Sequence, residues 1–200
     1  MWGTRCGLAL VLVAGMALAG CSTTVAGVAA PARASGSSSA APASAPSGKP
    51  FKDAQGRFTL NPPAKWVIDD SGEQGTAALF LEPRSAATEA RGFSANINVL
   101  VVPSPVDLST AVTGARQELT SLDGYASTTD ESLVLRDGTP AHLLGGTFVD
   151  PGSGLELRNE QLFAVHDGSA IVATGTSLAD DWETYEPVLD TALRSLTVDA

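Results

Sequence analysis

From residue 51 onward the chain carries two hydrophobic rhythms. Short stretches alternate apolar and polar residues at period two, and two longer ones repeat near 3.6. The clearest strand pattern spans residues 92–103, GFSANINVLVVP. Phe93, Ala95, Ile97, Val99 and Val101 share one face, while Asn96 and Asn98 share the other with Leu100 and Val102. The second face turns from polar to apolar along its length, which predicts a strand covered on both sides at one end. Weaker strand patterns precede it at 56–60, 66–68 and 77–81. Pro62 and Pro63 cannot donate to a ladder, so they fall in a connection. Four more strands are predicted at 126–135, 139–149, 155–165 and 170–177. The turn signals between them are Arg136-Asp137-Gly138, Asp150-Pro151-Gly152-Ser153-Gly154 and His166-Asp167-Gly168-Ser169. Such consecutive hairpins predict an antiparallel meander.

Leu108, Ala111, Val112, Ala115, Leu119 and Leu122 give the first helical stripe, with Asp107 as N-cap and Asp123-Gly124 as stop. The second spans 180–196, marked by Trp182, Tyr185, Leu189, Ala192, Leu193 and Leu196. Pro187 fits only a first turn, so the regular helix is expected from about Thr184, with Trp182 in an irregular lead-in. One antiparallel sheet with a helix on each face gives every apolar stripe a partner. The expected fold class is therefore α+β, an α/β/α sandwich formed by one domain over residues 51–200.

The first 50 residues read differently. Gly7 to Leu18 is an apolar run of 12 residues behind Arg5. It is shorter than the ~20 residues of a membrane-spanning helix and fits a secretory signal core. It closes on Leu18-Ala19-Gly20-Cys21, which resembles a bacterial lipobox. That resemblance implies that residues 1–20 are a signal peptide and that Cys21 becomes the first mature residue, with lipid on its thiol. Cys6 would be discarded with the signal. Residues 22–49 are mostly Ala, Ser, Pro and Gly. They cannot bury enough surface to fold, so 21–50 is expected to be a flexible lipid-anchored linker, reaching roughly 30 Å.

Charge and cysteine content narrow the function classes. All 22 acidic residues lie beyond residue 50, against nine of the 12 basic ones. Such an acidic domain repels phosphate backbones, which argues against nucleic-acid binding. It holds no cysteine, so it has neither a disulfide core nor a thiolate zinc site.

The opening Phe58-Thr59-Leu60-Asn61-Pro62-Pro63-Ala64-Lys65-Trp66, the Asn-Ile-Asn-Val strand, the central helix, the hairpins and a last helix ending Leu-Arg-Ser-Leu resemble the PsbP-like sandwich. The resemblance covers about residues 56–197. With the tether, it is similar to the LpqN/LpqT-like lipoproteins of actinobacteria. It implies a domain that binds other proteins or assists assembly, with no shared catalytic motif.

The residues themselves supply no standard catalytic signature: no Gly-x-Ser-x-Gly, Ser-x-x-Lys, HExxH, phosphate loop or dinucleotide fingerprint. His142 is expected opposite residues 161–163, with His166 about 10–15 Å further along, too far for a shared metal. No metal or cofactor is expected. Asp180-Asp181 reads as complement to a helix N-terminus. Glu156, Arg158 and Glu160 read as a solvated strand face with cross-strand charge pairs. Asn96 and Asn98 are the candidate ligand contacts: amides two apart on a strand can bind a sugar or a peptide backbone, and can equally hold a neighbouring loop. Trp66 and Trp182 read as core or rim aromatics, with Trp66 kept as a candidate contact.

The expectation is a non-enzymatic lipoprotein, attached to the cell membrane through Cys21 and facing the extracytoplasmic space. Its domain would bind a protein partner or an envelope component. The alternative is a lipid or glycolipid carrier holding its ligand in an apolar cleft between sheet and helix. A hydrolase would need a nucleophile and a base in contact, and two distant histidines do not provide the usual form.

Overall fold

A computed structural model describes residues 48–199. The segment expected to be a signal peptide, Cys21 and nearly all of the expected linker lie outside the described residues. Strand β1 (Phe51–Lys52) and β2 (Phe58–Leu60) open the domain, followed by β3 (Val67–Asp69), β4 (Ala78–Leu81) and helix α1 (Ala86–Arg91). Next come β5 (Asn96–Pro103), α2 (Leu108–Leu119), β6 (Ala126–Val134), β7 (Pro140–Val149), β8 (Glu156–His166) and β9 (Ser169–Leu178). Helix α3 (Trp182–Leu193) and β10 (Thr197–Val198) complete it. The main sheet has the order β3-β4-β5-β9-β8-β7-β6 and is antiparallel throughout; β1-β2-β10 form a small second sheet.

The meander is as the turn signals predicted. The β8–β9 hairpin closes on Asp167 and Gly168, whose φ values of 45° and 72° suit a tight two-residue turn. The two helices cover opposite faces of the sheet. Val112, Ala115 and Leu119 of α2 pack on Leu144, Phe163 and Val172. On the other face Trp182, Tyr185, Leu189, Ala192 and Leu193 of α3 pack on Phe80, Ile97, Val99, Leu143, Leu162 and Ile171. Phe58 and Leu60 bring the small sheet into this larger core. Two neighbouring glycines permit close approach on opposite faces. A Cβ on Gly146 would lie inside the Tyr125 ring, while one on Gly145 would meet Thr129 and Glu160 at 3.0 and 3.1 Å.

Three local features depart from the sequence pattern. Strand β5 starts at Asn96 rather than Gly92, because α1 and its exit turn occupy the preceding residues. Ser85 caps α1 reciprocally with Thr88: Thr88 N–H donates to Ser85 Oγ at 3.2 Å, and Ser85 N–H to Thr88 Oγ1 at 2.8 Å. Gly92 ends the helix in the left-handed region, at φ 69°. Helix α3 starts at Trp182, after a 3-10 turn over Ala179–Asp181, so Pro187 lies inside it. The Glu183 carbonyl loses its intrahelical donor there. The buried stripe from Trp182 to Leu193 offsets that loss.

Candidate functional site

The α2 face of the sheet is not uniformly apolar. Strand pairing places Asn98, Thr174 and Gln161 in one row across β5, β9 and β8, and Asn96, Thr176 and Asn159 in the next. Apolar residues bound this band on both sides: Leu100, Val172 and Phe163 toward α2, Leu178, Leu157 and Phe148 beyond. Leu79 and Leu81 of β4 flank it laterally. At strand spacings the six side chains cover about 10 by 7 Å. All six are neutral, and each offers a donor, an acceptor or both. Asn98, Asn159, Gln161, Thr174 and Thr176 are buried, and Asn96 is half-buried. Asn96 Nδ2 donates to Ser94 O at 3.2 Å. The Asn159 Oδ1 atom is buried with no hydrogen-bond partner among the described residues. Leaving such a group unmet costs about 1–3 kcal/mol.

Asn96 and Asn98 thus stand in one polar band, and four residues that alternation did not single out join them. The signal for those four was present as polar interruptions at alternate positions of 155–165 and 170–177. Trp66 is not part of this band. It is half-buried and packs against the α3-side core, the opposite face of the sheet.

A second constellation lies at the edge of the same face. Arg116 of α2 makes two 2.7 Å bonds to Asp130 on β6, Nε to Oδ2 and Nη2 to Oδ1. The His142 ring on β7 stands between Asp130 and Ser132: Nε2 is 2.8 Å from Asp130 Oδ1, and Nδ1 is 3.1 Å from Ser132 Oγ. Arg116 Nη2 is also 3.2 Å from His142 Nε2. The hydrogen bond from Arg116, reinforced by His142, lowers the Asp130 pKa to about 2. His142 faces Phe163 across β7–β8, as expected. His166 is at the far end of β8, beside Asp167.

Beneath α3 the charged strand face is solvated only at its outer end. Glu156 is exposed, Arg158 half-buried and Glu160 buried. The Arg158 guanidinium lies 4.7 Å over the Trp182 ring. Trp182 is a core residue at 2% exposure. Arg158 Nε, Glu160 Oε2 and Trp182 Nε1 are all buried without hydrogen-bond partners among the described residues. Burial raises the Glu160 pKa, aided by Asp190 and Glu186 and opposed by the Thr129 hydrogen bond.

A cleft of about 310 Å³ opens elsewhere, between the β1–β2 turn and residues 70–77. Its Asp53 carboxylate is held by Arg57 through bonds of 2.7 and 2.8 Å. Among the described residues no three His, Cys, Asp or Glu side chains come together as a metal site.

Residues 49–198 match the family model described as "Probable lipoprotein LpqN". The chain belongs to the Lpp-LpqN family. Its domain is also similar to LpqN of Mycobacterium tuberculosis, whose structure is described as involved in cell envelope biogenesis. That match has a TM-score of 0.57 at 16% identity, over 76% of this chain and 90% of the other. The cyanobacterial PsbP of Synechocystis aligns with a TM-score of 0.53 at 15% identity, over 75% and 91%. A Pseudomonas aeruginosa protein of unknown function aligns with a TM-score of 0.50 at 20% identity, over 74% and 95%. No curated protein sequence matches. These structural likenesses establish the PsbP-like fold. In this LpqN-family domain no described helix is long and apolar enough to cross a membrane.

Proposed function

We propose that this LpqN-family lipoprotein is held at the cell envelope by lipid on Cys21 and binds a neutral envelope component through the polar band. The observation that carries this reading is the buried Asn159 Oδ1, without a hydrogen-bond partner among the described residues, inside a lattice of six neutral hydrogen-bonding side chains. Buried polar groups are normally satisfied, and a band of them across an apolar face needs a partner. A neutral lattice suits hydroxyl- or amide-rich ligands over anionic ones, and binding at this face needs no chemistry. The family assignment and the envelope role stated for the mycobacterial relative support the location. Both helix–sheet interfaces are filled by buried side chains, which does not favour a carrier cleft beneath a helix.

The test is amide chemical-shift mapping with a panel of neutral oligosaccharides and one anionic control. Shifts centred on Asn96, Asn98, Asn159 and Gln161, and lost in an Asn98→Leu/Gln161→Leu variant, support the proposal. Shifts confined to other surfaces, or none with any sugar, overturn it. Separately, Cys21→Ser should move the protein from the membrane to the soluble fraction. Retention in the membrane would remove the anchor from the proposal.

A further inference from the structure

We propose that Ser132, His142 and Asp130 form a nucleophilic centre able to cleave small activated esters. A serine hydroxyl becomes a useful nucleophile when a base touches it and a third group orients that base. Both contacts exist here. Ser132 Oγ meets His142 Nδ1 at 3.1 Å, and Asp130 Oδ1 meets Nε2 at 2.8 Å. One tautomer satisfies both: Nε2–H donates to the carboxylate, leaving the Nδ1 lone pair for the serine proton. The two ring nitrogens exchange the roles they have in the usual serine-protease arrangement, with the connectivity preserved.

The surroundings fit the three roles. Ser132 lies on β6, the edge strand, and is exposed to incoming substrate. His142 is buried at 8% exposure, which shields the imidazole. The clamp of Arg116 on Asp130 keeps the carboxylate ionised and fixes its position. Arg116 is therefore a positioning residue, and Ser132 and His142 are the catalytic ones.

In the reaction Ser132 Oγ passes its proton to His142 Nδ1 and bonds to the ester carbonyl carbon. The carbon–oxygen bond to the alcohol breaks, and that alcohol leaves with the proton from Nδ1. Water, deprotonated by the same nitrogen, then attacks the acyl-serine, releasing the carboxylic acid and restoring the Oγ–H. Ser132 faces solvent, so the oxyanion develops in water. One preorganised oxyanion donor is worth about 10²–10³ in rate. Turnover is accordingly slow and confined to esters with good leaving groups.

The competing account is a structural clamp, in which the same contacts only tie α2 to the sheet edge. To separate the two, full-length protein is treated with a fluorophosphonate probe, and adducts are located by peptide mapping. The proposal expects an adduct on Ser132, reduced at least about a hundredfold in His142→Asn, the lower end of what a positioned base supplies. Because a buried substitution can impair folding, a second arm uses Ser132→Cys, with alkylation at position 132 by iodoacetamide as readout. There the proposal expects alkylation at least about tenfold faster than for a thiol in an unstructured peptide, since a contacting base raises the thiolate fraction. No adduct on Ser132 in folded protein, or a Ser132→Cys thiol no faster than the peptide, overturns it and leaves the clamp.

Discussion

Thr129 Oγ1 donates a 3.0 Å hydrogen bond to Glu160 Oε1, reaching over Gly145 on the strand between them. A Cβ on Gly145 would stand 3.0 and 3.1 Å from these two side chains, tighter than an ordinary contact. The second carboxylate oxygen is buried without a partner among the described residues, and Glu186 and Asp190 face it from α3, with Arg158 two residues away on its own strand. The neutral acid is therefore favoured in the fold. Above the ordinary glutamate range the folded domain binds more protons than the unfolded chain, so this site lowers stability as pH rises until the carboxyl ionises in place. Glu160→Gln should remove that slope, because the amide stays neutral at every pH. Urea melts of both proteins at pH 5 and pH 8 check it; equal pH dependence would refute it.

Gly146 should tolerate no side chain while Tyr125 is present. Gly146→Ala pushes a methyl into the ring, and overpacking of this kind costs about 1–3 kcal/mol. Adding Tyr125→Leu should recover part of the loss. A double-mutant cycle by thermal melting measures the coupling, and additive effects would show that the ring does not fill this space.

Tyr185 ties α3 to β4 and α1. Its hydroxyl donates to Glu82 Oε1 at 2.6 Å and accepts from Arg91 Nη2 at 3.1 Å. Burial, reinforced by Glu82, pushes its pKa up to about 12. The neutral phenol is favoured in the fold, so its contribution is lost as pH rises from the ordinary tyrosine range toward 12. Tyr185→Phe should cost about 1 kcal/mol at neutral pH and blunt the alkaline loss of stability. Denaturant melts from pH 8 to 11 read both effects.

Asp130 gives the opposite dependence on the acid side. Its pKa of about 2 lies below the ordinary aspartate value of 3.8, so its stabilising contribution is present above that ordinary value and fades as pH falls toward 2. The carboxylate is partly exposed and solvent screens it, so the effect is small. Asp130→Asn should flatten the acid limb of the stability curve between pH 4 and 2. An unchanged limb would show that the Arg116 contact does not persist in solution.

The long elements were legible because each repeats its period several times. Asp107 was also legible as a cap, and Thr110 N–H donates to its carboxylate at 2.8 Å. Strands β1 and β10 have two residues each and α1 has six, too short to display a period. The alternating charges of Glu156, Arg158 and Glu160 suggested water on that face. The burial of Glu160 comes from α3, whose Leu189 would contact a Cβ on Gly175 at 3.2 Å, next to Glu160 across the ladder. The turn at Arg136-Asp137-Gly138 sets Ser132 opposite His142. The convergence of Arg116 on the same ring depends on how α2 docks, which spacing along the chain does not encode. In the same way alternation marked Asn96 and Asn98, but only the strand order β5-β9-β8 supplies their four neighbours.

Strand β2 has the first and the last described strand beside it. Lys52 and Thr197 flank Thr59 from opposite sides, and Lys52 Nζ reaches Asp199 Oδ2 at 3.2 Å. Tension drawn along the residues before Phe51 therefore enters the domain through a two-residue ladder and the Phe51 ring, which packs edge-on to Phe80 at 5.3 Å. With the proposed lipid anchor on Cys21, a pull on the linker would peel β1 before it strained the seven-stranded sheet, so this corner would act as a mechanical fuse.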